Sequence, residues 1–162
     1  MAISPGSAAP PFALPDDGGG STSLADLTAG GPVLRAFFKC SCPTCRLAFP
    51  VFGELARRYR DAVPVVAVGQ DPVATSRPWL DDLGFPGPVL DDTAGYAASA
   101  AYDLDSVPTL VLVDGDGTVV DASAGWDRDR VNAWDERLAA MTGREPSPVS
   151  VEGDGRPPWK PG

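Results

Sequence analysis

An apolar stretch, Pro32 to Phe38 (PVLRAFF), leads within a few residues into Cys42-Pro43-Thr44-Cys45, and a helical pattern follows at once. Few folds tolerate that order. A short run of this kind suits a buried strand. Leu47, Val51, Leu55 and Tyr59 then recur at four-residue spacing, which predicts a helix over Cys45 to Tyr59 with one apolar face. Two thiols are thereby set at a strand-to-helix junction. Residues three apart on a helical turn lie about 5–6 Å apart. That falls within the Cα separation of about 4.4–6.8 Å that a disulfide needs. Cys42 and Cys45 can therefore close a small, reversible ring.

Position separates their roles. Cys42 is expected at the helix N-terminus, where unpaired N–H groups and the helix dipole favour a thiolate. Cys45 lies one turn further in, shielded by the helix. The reading is Cys42 as attacking nucleophile and Cys45 as resolving thiol. Pro43 suits the first helical position, having no N–H to waste. Cys40, two residues before Cys42 at a strand end, is read as a spectator or core thiol. Lys39 and Arg46 flank the motif as surface charges that can also favour a thiolate.

Composition removes most other chemistries. The 162-residue chain has no His, which excludes Ser-His-Asp and Cys-His catalysis and any His-ligated metal or haem. Three Cys with no second cluster give neither a zinc site nor a disulfide framework, so no metal and no cofactor is expected. Thirteen Lys and Arg against 22 Asp and Glu leave a formal charge of −9, which argues against nucleic acid as a partner. No apolar run is long enough for a membrane span. The opening residues have no basic, apolar leader pattern, and the expected location is cytoplasmic with reduced thiols.

The rest of the chain alternates strand and helix. Phe12 to Leu14 and Ser21 to Leu24 form a hairpin over a Gly-rich turn, with Ser23 capping a short helix. Val63 to Val68 and Pro88 to Asp91 read as strands. Asp71 to Leu83, capped by Asp71, and Thr93 to Tyr102 read as helices. Val107 to Asp114 and Thr118 to Ala122 pair across Gly115-Asp116-Gly117, and a last helix runs from Asp127 to Met141 with Gly143 as its stop. The order predicts an α/β fold with a mixed sheet and helices on both faces. Residues 1–8 are expected to be flexible and 9–143 to form the domain. Residues 144–162, with eight Pro and Gly and little to bury, are expected to be extended or mobile. Pro108, at the start of an apolar strand, reads as either an ordinary strand-initiating proline or a cis one.

These features resemble the thioredoxin-like superfamily, in particular its redoxin branch of TlpA-like and AhpC/TSA-like proteins. The resemblance covers roughly residues 9–143. It rests on Ala9 to Leu14 with the following Gly-rich turn and Leu24 to Leu27, on VLRAFF, on CPTC, on Pro50 in the next helix, and on Val107-Pro108-Thr109 before a strand. It implies a three-layer fold with an N-terminal β-hairpin and a central strand–helix insert. It also implies a cis proline at Pro108 packed against the cysteines, a helix kink at Pro50, and a substrate-binding surface at Pro43, Thr44, Val107 and Pro108. The implied activity is thiol–disulfide exchange with protein or small-molecule disulfides, recharged by a thiol electron donor.

Four positions depart from family patterns. Ala36 stands where thioredoxins carry a buried acid, and Ser41 where an aromatic usually precedes the motif. Arg35 and Lys39 stand where peroxiredoxins show a proline and a hydroxyl residue. The alternative activity, a thiol-dependent antioxidant peroxidase with Cys42 as peroxidatic cysteine, therefore has weaker support. A third reading is a binding module with vestigial cysteines. Phe38, Pro43, Trp79 and Trp126 are candidates for a docking surface, with core packing the stronger reading for the tryptophans.

Overall fold

A computed structural model describes residues 3–162. Its centre is a five-stranded sheet in the order β5-β4-β3-β6-β7: β3 Val33–Phe38, β4 Val65–Gly69, β5 Val89–Asp91, β6 Thr109–Val113 and β7 Val119–Ala124. β3 pairs in parallel with β4, and β4 with β5, whereas β6 runs antiparallel to both β3 and β7. The sheet is mixed, as the closing hairpin requires. β1 (Ala13–Pro15) and β2 (Ser21–Ser23) form the separate N-terminal hairpin. β5 and α4 (Ala97–Ala101) lengthen the connection from β4 to β6 and form the expected insert.

Side chains alternate across a strand, so β3 feeds two cores. Leu34, Ala36 and Phe38 pack with α2 (Pro43–Tyr59), α3 (Val73–Asp82) and α5 (Arg128–Thr142), in a cluster that includes Phe49, Phe52, Leu55, Leu80, Trp126 and Trp134. Val33 and Phe37 face the other way, toward Leu14, Leu24 of α1 (Leu24–Thr28), Ala98 and Tyr102. Helices therefore cover both faces. Arg35 falls on this second face and is fully buried. Its guanidinium sits 4.4 Å from the Tyr102 ring centroid and 5.4 Å from that of Phe12, and it hydrogen-bonds the Tyr102 hydroxyl. Burial lowers its pKa, but aromatic faces supply part of the lost solvation.

Two helix starts differ from the sequence reading, each for a local reason. α3 begins at Val73 with Pro72 as a cap that makes no side-chain bond. Asp71 does not cap it, because its carboxylate accepts the Cys40 N–H at 2.7 Å. α4 begins four residues later than the expected Thr93. Asp91 Oδ1 accepts the Thr93 N–H and folds the chain into a turn. The buried Asp92 carboxylate then accepts the N–H groups of Ala98 and Ser99, both at 2.8 Å, and so fixes where the helix starts.

Both ends are more tightly held than their composition suggests. The expected flexible segment 1–8 includes Met1 and Ala2, which lie outside the described residues. Its remainder runs along β7, with the Gly6 N–H donating to Val119 O and the Val119 N–H to Ser7 O, each at 2.8 Å. Residues 144–162, expected to be extended or mobile, instead fold back over α5. They end in β9 (Trp159–Lys160), paired with β8 (Trp126–Asp127). The segment buries few apolar groups. Polar contacts hold it: Asn132 Oδ1 accepts the Val149 N–H at 2.8 Å, Asp135 Oδ2 accepts the Ser147 N–H at 2.7 Å, and Arg128 Nη2 donates to Arg156 O at 2.7 Å.

Candidate active site

β3 ends at Phe38 and the chain turns. The Cys42 N–H donates to Lys39 O at 3.1 Å, so Cys40 lies in this turn rather than on the strand. Cys42 is the N-cap of α2, with extended backbone, and Pro43 occupies the first turn. The Cys42 sulfur accepts the Cys45 N–H at 3.1 Å, taking the place of the oxygen that a Ser or Asp cap would offer. The helix thus aims a free backbone N–H at the sulfur, and a charged sulfur accepts such a bond more strongly than a neutral one.

The other side of Cys42 faces the loop before β6. Its thiol donates to Val107 O at 3.4 Å. The Val107–Pro108 peptide is cis, and Pro108 is buried while Val107 is half-buried. The structure therefore brings Cys42, Cys45, Val107 and Pro108 together from segments more than sixty residues apart.

The two thiols differ in exposure. Cys42 is half-buried and Cys45 fully buried. Burial first, then a hydrogen bond with Cys42, holds the Cys45 thiol well above its ordinary pKa. Cys45 thus stays protonated behind Cys42 until the outer sulfur is used. Cys40 is pushed up to about 11, by burial first and then by the Asp71 carboxylate beside it. That keeps it a poor nucleophile at neutral pH.

The remaining candidates separate cleanly. Thr44 is buried, and its hydroxyl donates to Pro161 O at 2.6 Å. Pro43 is exposed. Phe38 and Trp126 are fully buried, and Trp79 nearly so, stacked on Phe38 at 5.2 Å, so these three are core. Of the four proposed docking residues, Pro43 alone is presented outward. Arg46 leans over the Trp79 ring at 5.7 Å, and Lys39 is exposed. Arg35, on the far face of the sheet, cannot reach the thiols.

The sequence reading missed Gly162, which lies against Ser106 and Val107, and Gly125, which lies against Lys160 to Gly162. No burial signal marked this segment, since Trp159, its aromatic residue, stays exposed.

The sequence profile of the AhpC/TSA family matches residues 5–122. The thioredoxin-like protein YneN of Bacillus subtilis (strain 168) is 32% identical over 129 residues, covering 77% of this chain and 74% of that protein. The thiol-disulfide oxidoreductase ResA of the same organism is 32% identical over 126 residues, covering 76% and 69%. Among solved structures, one described as a thiol:disulfide interchange protein DsbE from Chlorobium tepidum aligns with a TM-score of 0.76 at 27% identity. That alignment covers 86% of this chain and 98% of that one.

Proposed function

The chain belongs to the AhpC/TSA family, with a thioredoxin-like fold, and is a thiol–disulfide oxidoreductase; from that premise we propose that Cys42 is its attacking sulfur and Cys45 its resolving one. The observation that carries the assignment is the placement of the Cys42 sulfur between the Cys45 N–H and the Val107 carbonyl, with the Cys45 thiol sealed behind it.

The cycle follows from the geometry. The Cys42 thiolate attacks one sulfur of a substrate disulfide, forming a mixed disulfide and releasing the first thiolate, which takes a proton from water. Cys45 then gives up its proton and attacks the Cys42 sulfur. The Cys42–Cys45 bond forms, the second substrate thiol leaves, and two electrons have passed from the dithiol to the substrate. An external donor recharges the pair with two thiols: the first opens the Cys42–Cys45 bond to a mixed disulfide on Cys42, and the second displaces it, leaving the dithiol and an oxidised donor disulfide. No acid stands at Ala36, so the proton given up by Cys45 passes to the departing substrate thiolate. Pro43, Thr44, Val107 and Pro108 border the approach to the Cys42 sulfur, with Pro43 as its exposed face.

Catalysed reduction of glutathione disulfide by dithiothreitol tests this directly. Turnover that disappears in Cys42→Ser supports it, and turnover that survives there overturns it. Rapid reduction of micromolar hydrogen peroxide without disulfide turnover favours the peroxidase alternative instead. The fit of three cysteines to a reducing compartment supports a cytoplasmic location, which fractionation of the native cells checks. Among the described residues, no helix is long and apolar enough to cross a membrane.

A further inference from the structure

Beyond Gly143 the chain doubles back and reaches Thr44 and Val107, next to the dithiol. Trp126 Nε1 donates to Pro157 O at 2.7 Å, and the Arg128 N–H donates to Pro158 O at 2.9 Å. Trp126 then pairs with Lys160, and Asp127 with Trp159, in an antiparallel ladder. One residue further on, Pro161 O accepts the Thr44 hydroxyl at 2.6 Å.

Gly162 comes to rest against the loop that faces Cys42. A Cβ placed on it would fall 2.4 Å from Val107 O and 2.7 Å from Ser106 Oγ, a distance no side chain can keep. Gly125 opens the path for this segment. It has φ +72°, and a Cβ there would lie 3.0 Å from Lys160 O. Val107 O is also the atom that accepts the Cys42 thiol. Gly162, the end of this strap, thus sits against Ser106 and Val107, beside the reactive sulfur, while Trp159 and Lys160 are held on β8. Pro43, on the other side of Cys42, is exposed.

We propose that residues 159–162 are a specificity element, filling the Ser106–Val107 edge so that the site accepts small disulfides approaching over Pro43 and rejects extended polypeptide disulfides. An extended polypeptide binds such a site by pairing its backbone with a free edge, and here Gly162 sits against Val107 O on that edge. A small disulfide needs only a line of approach to the Cys42 sulfur. The inference rests on the oxidoreductase reading above and names the substrate class of that site.

The test compares kcat/KM on glutathione disulfide and on insulin, for the full chain and for a chain ending at Pro158. That truncation keeps the bonds to Trp126 and Arg128. Gly162→Val in the full chain serves as a second variant, since its side chain must push the strap end off Val107. Both variants are expected to raise insulin reduction by about tenfold or more, equivalent to about 1.4 kcal/mol, and to leave glutathione disulfide reduction within about twofold. Glutathione disulfide turnover with an unchanged insulin rate in both variants overturns the specificity role alone. Absence of Cys42-dependent turnover on either substrate overturns the oxidoreductase reading, and the inference with it.

Discussion

Two segments meet at Val107 and are built on opposite principles. The first turns of α2 are held by the core: Cys45, Ala48, Phe49 and Phe52 are all buried, and Phe49 contacts Phe38, Phe52, Trp79 and Phe85 through ring pairs at 4.9–5.6 Å. The returning segment 144–162 contributes almost nothing to that core. Its hold is a chain of hydrogen bonds and ion pairs to Arg58, Arg128, Asn132 and Asp135. Apolar packing fixes the sulfurs in a way that neither pH nor salt can loosen. Polar anchoring fixes the strap in a way that charge can release. The reacting atoms are therefore rigidly placed, while access to them rests on contacts that solution conditions reach.

Breaking the first segment has the larger consequences. Cys42→Ser is expected to lower disulfide turnover by about 10³-fold or more, while Cys45→Ser still forms a mixed disulfide at Cys42 that mass spectrometry finds unresolved. Phe49→Ala, which removes a ring at the centre of four aromatic contacts, is expected to cost about 3–5 kcal/mol in denaturant unfolding.

The strap responds on a smaller scale. Asp135 is buried and accepts from Arg58 Nη1, the Tyr59 hydroxyl and the Ser147 N–H. Tyr59 is pushed up to about 12, by burial first and then by this carboxylate. Asp135→Ala leaves the Ser147 N–H without its acceptor and the Tyr59 hydroxyl with only the backbone oxygen of residue 135, at 3.2 Å, and is expected to cost about 1–3 kcal/mol of stability. Thr44→Val removes the single bond to Pro161 and is expected to cost strap docking about 0.5–1.5 kcal/mol, read as faster amide exchange at Trp159 and Lys160.

Acid sharpens the contrast. Asp154 is held down to about 2, chiefly by the Ser150 hydroxyl, then by the Arg156 N–H and the charges of Arg156 and Arg128. A carboxylate lowered in the folded state contributes stability in full above its ordinary pKa, and that contribution is lost as pH falls toward the folded value. The strap is thus expected to loosen between about pH 4 and pH 2. The Trp126 indole N–H, bonded to Pro157 O, reports this by NMR, and Asp154→Asn removes the pH dependence from that signal.

What the sequence revealed, and what it hid, follows the same division. The placement of Cys42, Pro43 and Cys45 was legible because it depends on three-residue spacing at a helix start. The two-sided core was legible because Leu34, Ala36 and Phe38 alternate with Val33 and Phe37. The strap was not, since a Pro- and Gly-rich segment gives no periodic pattern, and its order depends on folding back onto Arg128, Asn132 and Asp135 of α5, the helix just before it. The late start of α4 was hidden for a related reason: Asp92 looks like any acid in a loop until its carboxylate is seen under the N–H groups of Ala98 and Ser99.

The central assignment is that the outer sulfur reacts first and the sealed one finishes. Reduced protein mixed with one equivalent of glutathione disulfide, acid-quenched at intervals and mapped by mass spectrometry, reads that order. The expected sequence is a short-lived glutathione adduct on Cys42, then a Cys42–Cys45 disulfide with Cys40 still free. A first adduct on Cys40 or Cys45, or a Cys42 adduct that never resolves, would contradict it.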